Sequence, residues 1–271
     1  MNDLEQLKKL QVSMANEVKA ICEKYNLEYF LDGGSMLGAV RHKGFIPWDD
    51  DLDIGLPKED YFKFLEIASK ELGEEYFLDN FATNPENGLV FSKIRLVGTQ
   101  FVELKCNHNA KHNEIFVDIF AWYNVSDNKF VRKMEGLIMS ILSQALMSKS
   151  GYKVWAGDGK LKRLKFIPTD ILGKMLSKKR IHKWINHYLN KHKDTSMWSI
   201  NAGTQYGRHI PKDIFDEYID VPFEDSTFKI PKEYDRYLKI TYGNYMELPP
   251  EEKRVTHKPC KLEFGKYKTF Y

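Results

Sequence analysis

Cysteine is scarce. Cys22, Cys106 and Cys260 stand far apart in 271 residues. An odd total with no Cys-x-x-Cys pair excludes a disulfide framework and suits a reducing compartment. Long apolar runs are missing as well. The longest, Leu137–Met147, is interrupted by Ser140, Ser143 and Gln144 and falls short of the roughly 20 residues a membrane span needs. The opening MNDLEQLKKLQ is charged throughout, without the apolar centre of a signal peptide. The expectation is a chain made and kept in the cytosol. Excess charge is also lacking: 41 basic against 38 acidic residues leave +3, no reason to expect a nucleic-acid partner. The absence of any internal repeat excludes collagen-like, coiled-coil and mucin-like architectures. Core material is plentiful, with 42% apolar residues, 15 Tyr and 17 Phe. That is enough for one large domain or two small ones, and it excludes global disorder.

Leu4, Leu7, Met14, Val18, Ile21 and Tyr25 recur near the helical period, so an amphipathic helix opens the chain. Leu27–Leu31 suits a strand. Asp32-Gly33-Gly34-Ser35 reads as a turn into a short helix over Met36–Arg41, ended by Gly44. Leu52 and Ile54 alternate with Asp51 and Asp53, a strand pattern. Pro57 starts a helix over about 58–72, closed by Gly73. Ser92–Val97, Phe101–Leu104 and Ile115–Phe120 are strand-like, 129–195 is mostly helical, and Lys232–Tyr242 predicts a helix ended by Gly243. The order predicts an α+β fold: a mixed sheet flanked by helices, then a helical part. The expected organisation is a core over 1–128, a basic helical region over 129–199, and a segment over 200–271 that packs back on the core to complete one compact domain. Within the helical region, Lys160–Lys193 carries eleven Lys or Arg against one acid, Asp170.

The densest chemistry lies in Trp48-Asp49-Asp50-Asp51-Leu52-Asp53-Ile54. On a strand, Asp51 and Asp53 project from one face, joined by Asp49 if the strand extends that far. Two carboxylates there repel unless a cation lies between them, and oxygen-only ligands suit Mg²⁺ or Mn²⁺. A calcium EF-hand is excluded, because Ile54 and Asp60 stand where its loop wants Gly and Glu. Asp118 sits inside the apolar run Ile115–Phe120, where a carboxylate is costly unless paired, protonated or on a metal; a three-carboxylate metal site is the expectation. Gly34 and Ser35, at the mouth of a helix, offer N–H groups and a hydroxyl to a phosphate. Gly-turn, carboxylate pair and third carboxylate form the layout of metal-assisted phosphoryl transfer.

The stretch LDGGSMLGAVRHKGFIPWDDDLDIGLPKEDY, residues 31–61, resembles the signature of the LicD family of phosphotransferases. FSKIRLVGTQFVE (91–103), NEIFVDIFAWYNV (113–125) and YLKITYGNYMELPPEEKRVTHKP (237–259) resemble the family too. One departure is Ile-Phe-Ala-Trp after Asp118, where family members commonly show Ile-Phe-Pro-Leu. The resemblance implies a nucleotidyltransferase-like fold in which Gly34-Ser35, Asp51/Asp53 and Asp118 match the three motif elements. It also implies transfer of a phospho-alcohol, typically phosphocholine from CDP-choline, to a hydroxyl of a cell-surface glycan or its lipid-linked precursor (teichoic acid, lipopolysaccharide or capsule), with CMP released. Other CDP-alcohols such as CDP-glycerol or CDP-ribitol, a true nucleotidyltransferase using an NTP, and a non-catalytic glycan-binding module are the alternatives.

Further candidates for substrate binding are Arg41, His42 and Lys43 for the donor diphosphate, Lys93 and Arg95 on one strand face, Trp48 against the nucleotide, and His257 in the C-terminal motif. Trp122 and Tyr123 are weighed as a choline cage against an ordinary place in the core. The basic region suggests peripheral contact with the anionic inner face of the membrane.

Overall fold

The structure, a computed structural model, describes residues 2–153, 156, 164–200, 208–254 and 259–268. Helix α1 (Asp3–Lys24) begins with a reciprocal cap. The Asn2 side chain accepts the Glu5 N–H at 2.9 Å, and the Glu5 carboxylate accepts the Asn2 N–H at 3.0 Å. Its apolar stripe, Leu7, Met14, Val18 and Ile21, is buried and lies against the sheet.

Then follow β1 (Phe30–Leu31), α2 (Gly33–His42), β2 (Asp53–Pro57), α3 (Lys58–Glu71), β3 (Tyr76–Asp79), β4 (Ser92–Leu96), β5 (Gln100–Val102) and β6 (Phe116–Val125). The helical region holds α4 (Lys129–Lys149), α5 (Ile167–Met175) and α6 (Lys178–Leu189). The chain returns through β7 (Met197–Ile200), β8 (Ile210–Pro211), the hairpin β9 (Tyr218–Phe223) and β10 (Ser226–Pro231), α7 (Tyr234–Tyr242) and β11 (Lys261–Glu263). The predicted α+β class is the observed one.

Among the described residues, seven strands form the main mixed sheet, with β6 as its axis. On one edge β6 runs parallel to β2, from Asp53 opposite Asp118 to Pro57 opposite Trp122. Its other edge pairs antiparallel with β4 and then, further along, with β7. β1 and β3 extend the sheet, so its order reads β1-β2-β6-β4-β3, with β8 beyond β7. Residues after 196 thus complete the sheet begun by the first 125.

β4 stops one residue short of expectation, at Leu96, and β5 covers Gln100–Val102 rather than 101–104; three larger differences bear on the site. β1 is two residues rather than five, because Asn26 turns through a positive φ of 53° and pairing with β2 starts only at Phe30. β2 begins at Asp53, which leaves Asp51 in the approach to the strand. β6 runs on to Val125 because Ala121, Trp122 and Tyr123 are buried like the residues before them; a strand covered on both faces shows no alternation.

Candidate active site

The path of the chain around α2 brings the acids together. Asp32 caps the helix, its carboxylate accepting the Gly33 N–H at 2.7 Å. Gly33 has φ +52°, a conformation that favours glycine. α2 ends at Lys43, also left-handed, and the following loop doubles back along it. The Gly44 carbonyl passes so close that a Cβ on Gly38 would lie 2.4 Å from it. The loop therefore returns Asp49–Asp53 to the end where α2 began, the positive pole of the helix. There a Cβ on Gly34 would lie 3.0 Å from Asp49 Oδ2, and one on Gly33 3.3 Å from Asp53 Oδ2. α1 clamps the loop: Lys8 Nζ donates to the Ile46 and Pro47 carbonyls at 3.2 and 3.1 Å, and Gln11 Nε2 to the Asp50 carbonyl at 2.9 Å. Ser35 Oγ accepts the Asp53 N–H at 2.9 Å, which ties α2 to β2. Gly38→Ala has only backbone to displace. It is expected to cost about 1–3 kcal/mol in urea unfolding and to disturb the acidic loop with it.

Register then builds a row of charge across one sheet face. Asp53 is opposite Asp118, Asp118 opposite Lys93, and Lys93 opposite Asp79. Adjacent strands stand about 4.8 Å apart, so this register sets Asp53 and Asp118 side by side. Burial raises the pKa of Asp53 well above the usual carboxylate range, reinforced by Asp118 and Asp32 and opposed by Arg208. Asp51 is raised well above that range by burial and then by Asp53, Asp49 and Asp118. Asp118 is raised by burial, and Lys93, with Nζ 2.8 Å from Oδ1, opposes that shift. The Lys93 ammonium also lies 3.1 Å from the centre of the Phe116 ring, which helps hold a buried cation.

Arg208 and Tyr237 enter from the C-terminal third. The Tyr237 hydroxyl and Trp122 Nε1 both donate to the Asp32 carboxylate, the latter at 3.2 Å. Arg208 Nη1 lies 3.8 Å from Asp32 Oδ1, and the space a Gly33 side chain would take is 3.2 Å from the same nitrogen. Sequence reasoning missed Arg208, which carries no local signal, and Tyr237, although it opens the family-like stretch 237–259. It also missed Lys8 and Gln11, although Gln11 lies on the apolar stripe of α1, where a polar residue marks a buried hydrogen bond.

Among the described residues, the structure does not gather the remaining candidates, Trp122 on Asp32 apart, at the carboxylates. Arg41, His42 and Lys43 occupy the far end of α2, roughly 9–12 Å from Ser35 at 1.5 Å per residue. Arg41 Nη1 donates to the Tyr245 carbonyl at 2.8 Å and Nε to His42 Nε2 at 2.9 Å. Burial, then Arg41 and Lys8, lowers the pKa of His42. Arg95 shares a strand face with Lys93 but binds buried Asp79, Nε to Oδ2 2.5 Å. Trp48 packs under Arg254, 4.8 Å from the guanidinium carbon to the ring centre. Trp122 and Tyr123 are core residues. His257 lies outside the described residues.

The site suits a hard divalent cation. Asp49, Asp50 and Asp51 each offer an oxygen within 4.8 Å of the others, Asp53 and Asp118 adjoin in register, and every donor is a carboxylate oxygen. Protons or a cation must relieve their mutual repulsion.

Residues 26–137 match the LicD/FKTN/FKRP nucleotidyltransferase domain. The chain is 29% identical over 246 residues to the lipopolysaccharide cholinephosphotransferase LicD of Haemophilus influenzae, covering 88% of this chain and 89% of that one. This segment is a LicD-family domain. The ribitol 5-phosphate transferase FKRP of Mus musculus is 32% identical over 109 residues, 40% of this chain but 19% of FKRP. The LicD-family segment holds α2, β2, β4 and all of β6, and with them Asp51, Asp53 and Asp118.

Asp118→Asn keeps the shape of the row while removing the charge shared by the site and Lys93. The expected result is a transfer rate lowered by orders of magnitude with a small drop in melting temperature. Normal activity with a lowered melting temperature would make Asp118 a structural partner of Lys93 alone.

Proposed function

We propose that this phosphotransferase moves a phospho-alcohol, phosphocholine from CDP-choline first, to a hydroxyl of a cell-surface glycan or its precursor. The observation that carries the reading is the register of Asp53 beside Asp118 at the N-terminus of α2, inside the LicD-family segment.

Asp51, Asp53 and Asp118 would hold Mg²⁺ or Mn²⁺, with Asp49 close by. Such an ion supplies neutralisation of the donor diphosphate and polarisation of its phosphoryl oxygens. The chain's own groups do the rest. The N–H groups of Gly34 and Ser35, in the first turn of α2, are placed to receive a phosphate oxygen. Arg208, over Gly33, adds a fixed positive charge on the same side. A carboxylate of the cluster accepts the proton of the attacking hydroxyl. The acceptor oxygen bonds to the phosphorus bearing the alcohol as the bond to CMP breaks, and CMP leaves with that electron pair.

The similarity to FKRP favours a second transferred group, ribitol phosphate from CDP-ribitol, on the same machinery. A panel of CDP-choline, CDP-ribitol and CDP-glycerol, each with glycan acceptor and Mg²⁺, tests the reading by the alcohol phosphate found on the acceptor. CDP-choline is expected to turn over fastest. Pyrophosphate released from CTP, with no transfer from any CDP-alcohol, would overturn the proposal in favour of a true nucleotidyltransferase.

A further inference from the structure

Helices α5 and α6 both pack on α4, and their outer surface is apolar where such helices ordinarily present polar groups. On α4, Phe130, Met134, Leu137 and Ile141 recur at steps of four, three and four and are all exposed, Phe130 by 73%. That spacing forms one stripe. On α5, Ile167, Ile171 and Met175 recur every four residues and are exposed, Met175 by 76%. Between the helices lies a groove of about 540 Å³ lined by Ile138, Ile141, Leu142, Leu172, Trp184 and Tyr188. Ile141 belongs to both stripe and groove, so the apolar surface is continuous across α4. Contiguous exposed apolar side chains on this scale mark an interaction site.

The rim is cationic. Residues 164–193 carry eight Lys or Arg against the single acid Asp170. Lys178 is committed to Glu86 at 3.1 Å and Lys191 to Glu135 at 2.6 Å. Lys174, Lys179, Arg180 and Lys183 are exposed. Arg180, Trp184 and His187, at i, i+4 and i+7, share a face of α6, which sets a cation beside the groove. Residues 160–163 of the basic run lie outside the described residues.

We propose that this three-helix face docks the protein on an anionic lipid bilayer. Its Phe, Ile, Leu, Met and Trp side chains enter the boundary between headgroups and acyl chains, and its Lys and Arg meet the headgroup phosphates. Charge complementarity selects this occupant, since a second copy would bring one cationic rim against another. Among the described residues no helix is long and apolar enough to cross a membrane, so attachment through this face is peripheral. The proposal stands independently of the chemistry at the carboxylates. Where the acceptor is lipid-linked, docking also concentrates the enzyme on its substrate.

The test is co-sedimentation of the full chain with phosphatidylcholine vesicles, with and without phosphatidylglycerol, at low and high salt. Binding is expected only to the anionic vesicles and weaker in high salt. Lys179→Ala/Arg180→Ala/Lys183→Ala is expected to reduce partitioning roughly a hundredfold, at roughly fivefold per charge. Ile171→Ser/Met175→Ser should weaken binding even at low salt with an unchanged circular dichroism spectrum, because both side chains are exposed. Trp184 should give a blue-shifted emission on binding that is lost in Trp184→Phe. Failure of the wild type to bind anionic vesicles would overturn the proposal. So would a vesicle-free dimer that Ile171→Ser/Met175→Ser dissociates, which would make the face a contact between copies.

Discussion

Asp53→Asn and Asp51→Ala are each expected to abolish transfer while leaving the fold intact. Losing a carboxylate that would hold the proposed cation removes about 4 kcal/mol of charge stabilisation at the transition state, roughly a thousandfold in rate at 1.36 kcal/mol per tenfold. Stability should move the other way. The folded state holds protons on Asp51 and Asp53 to higher pH than the unfolded chain does, through burial and mutual repulsion. Without divalent cation, the resulting penalty is absent below the unfolded value of about 3.9, grows as pH rises from there toward the raised folded values, and levels off above them. The cation-free Asp53→Asn variant should therefore melt no lower than wild type near neutral pH and show a flatter dependence on pH. Added Mg²⁺ should raise the melting temperature of wild type, since it binds the folded state preferentially, and barely move the variant. Near wild-type turnover in either variant at saturating Mg²⁺ would sink the assignment.

Arg95→Ala should do the reverse, unfolding the protein before it touches the chemistry. Arg95 and Asp79 are both buried, and Asp79 also accepts from Asn84 and Asn87 at 2.9 and 2.8 Å. Removing the guanidinium leaves an uncompensated carboxylate inside the protein, worth about 3–5 kcal/mol. Urea unfolding should show that loss, while the fraction still folded keeps an ordinary KM for the donor. A large rise in KM with unchanged stability would instead place Arg95 on the substrate.

What was legible in the sequence follows from period and spacing. Asp51, Asp53 and Asp118 could be picked out because acids in apolar strand patterns are costly without a purpose. The register that sets Asp53 beside Asp118 was not legible, since pairing between residues 65 positions apart is a property of the folded sheet. Lys93 and Arg95 looked equivalent at i, i+2. Cross-strand neighbours separate them, one meeting Asp118 and the other Asp79. Arg41–Lys43 looked adjacent to the phosphate turn, but helical rise carries them to the far end of α2. The hairpin β9–β10 was hidden in a Tyr- and Pro-rich segment where no alternation declares itself, and the Tyr237–Asp32 bond because its partners lie some 200 residues apart.

The central claim, a cation-dependent transfer run by carboxylates at the start of α2, is tested most directly by following CMP release. The assay uses CDP-choline and a glycan acceptor, with Mg²⁺ present and after its removal by chelation. The account predicts steady CMP release by wild type with Mg²⁺, a stop on chelation, recovery when Mg²⁺ is restored, and none at any Mg²⁺ concentration for Asp53→Asn. CMP release that persists through chelation, or that Asp53→Asn sustains at the wild-type rate, would contradict it.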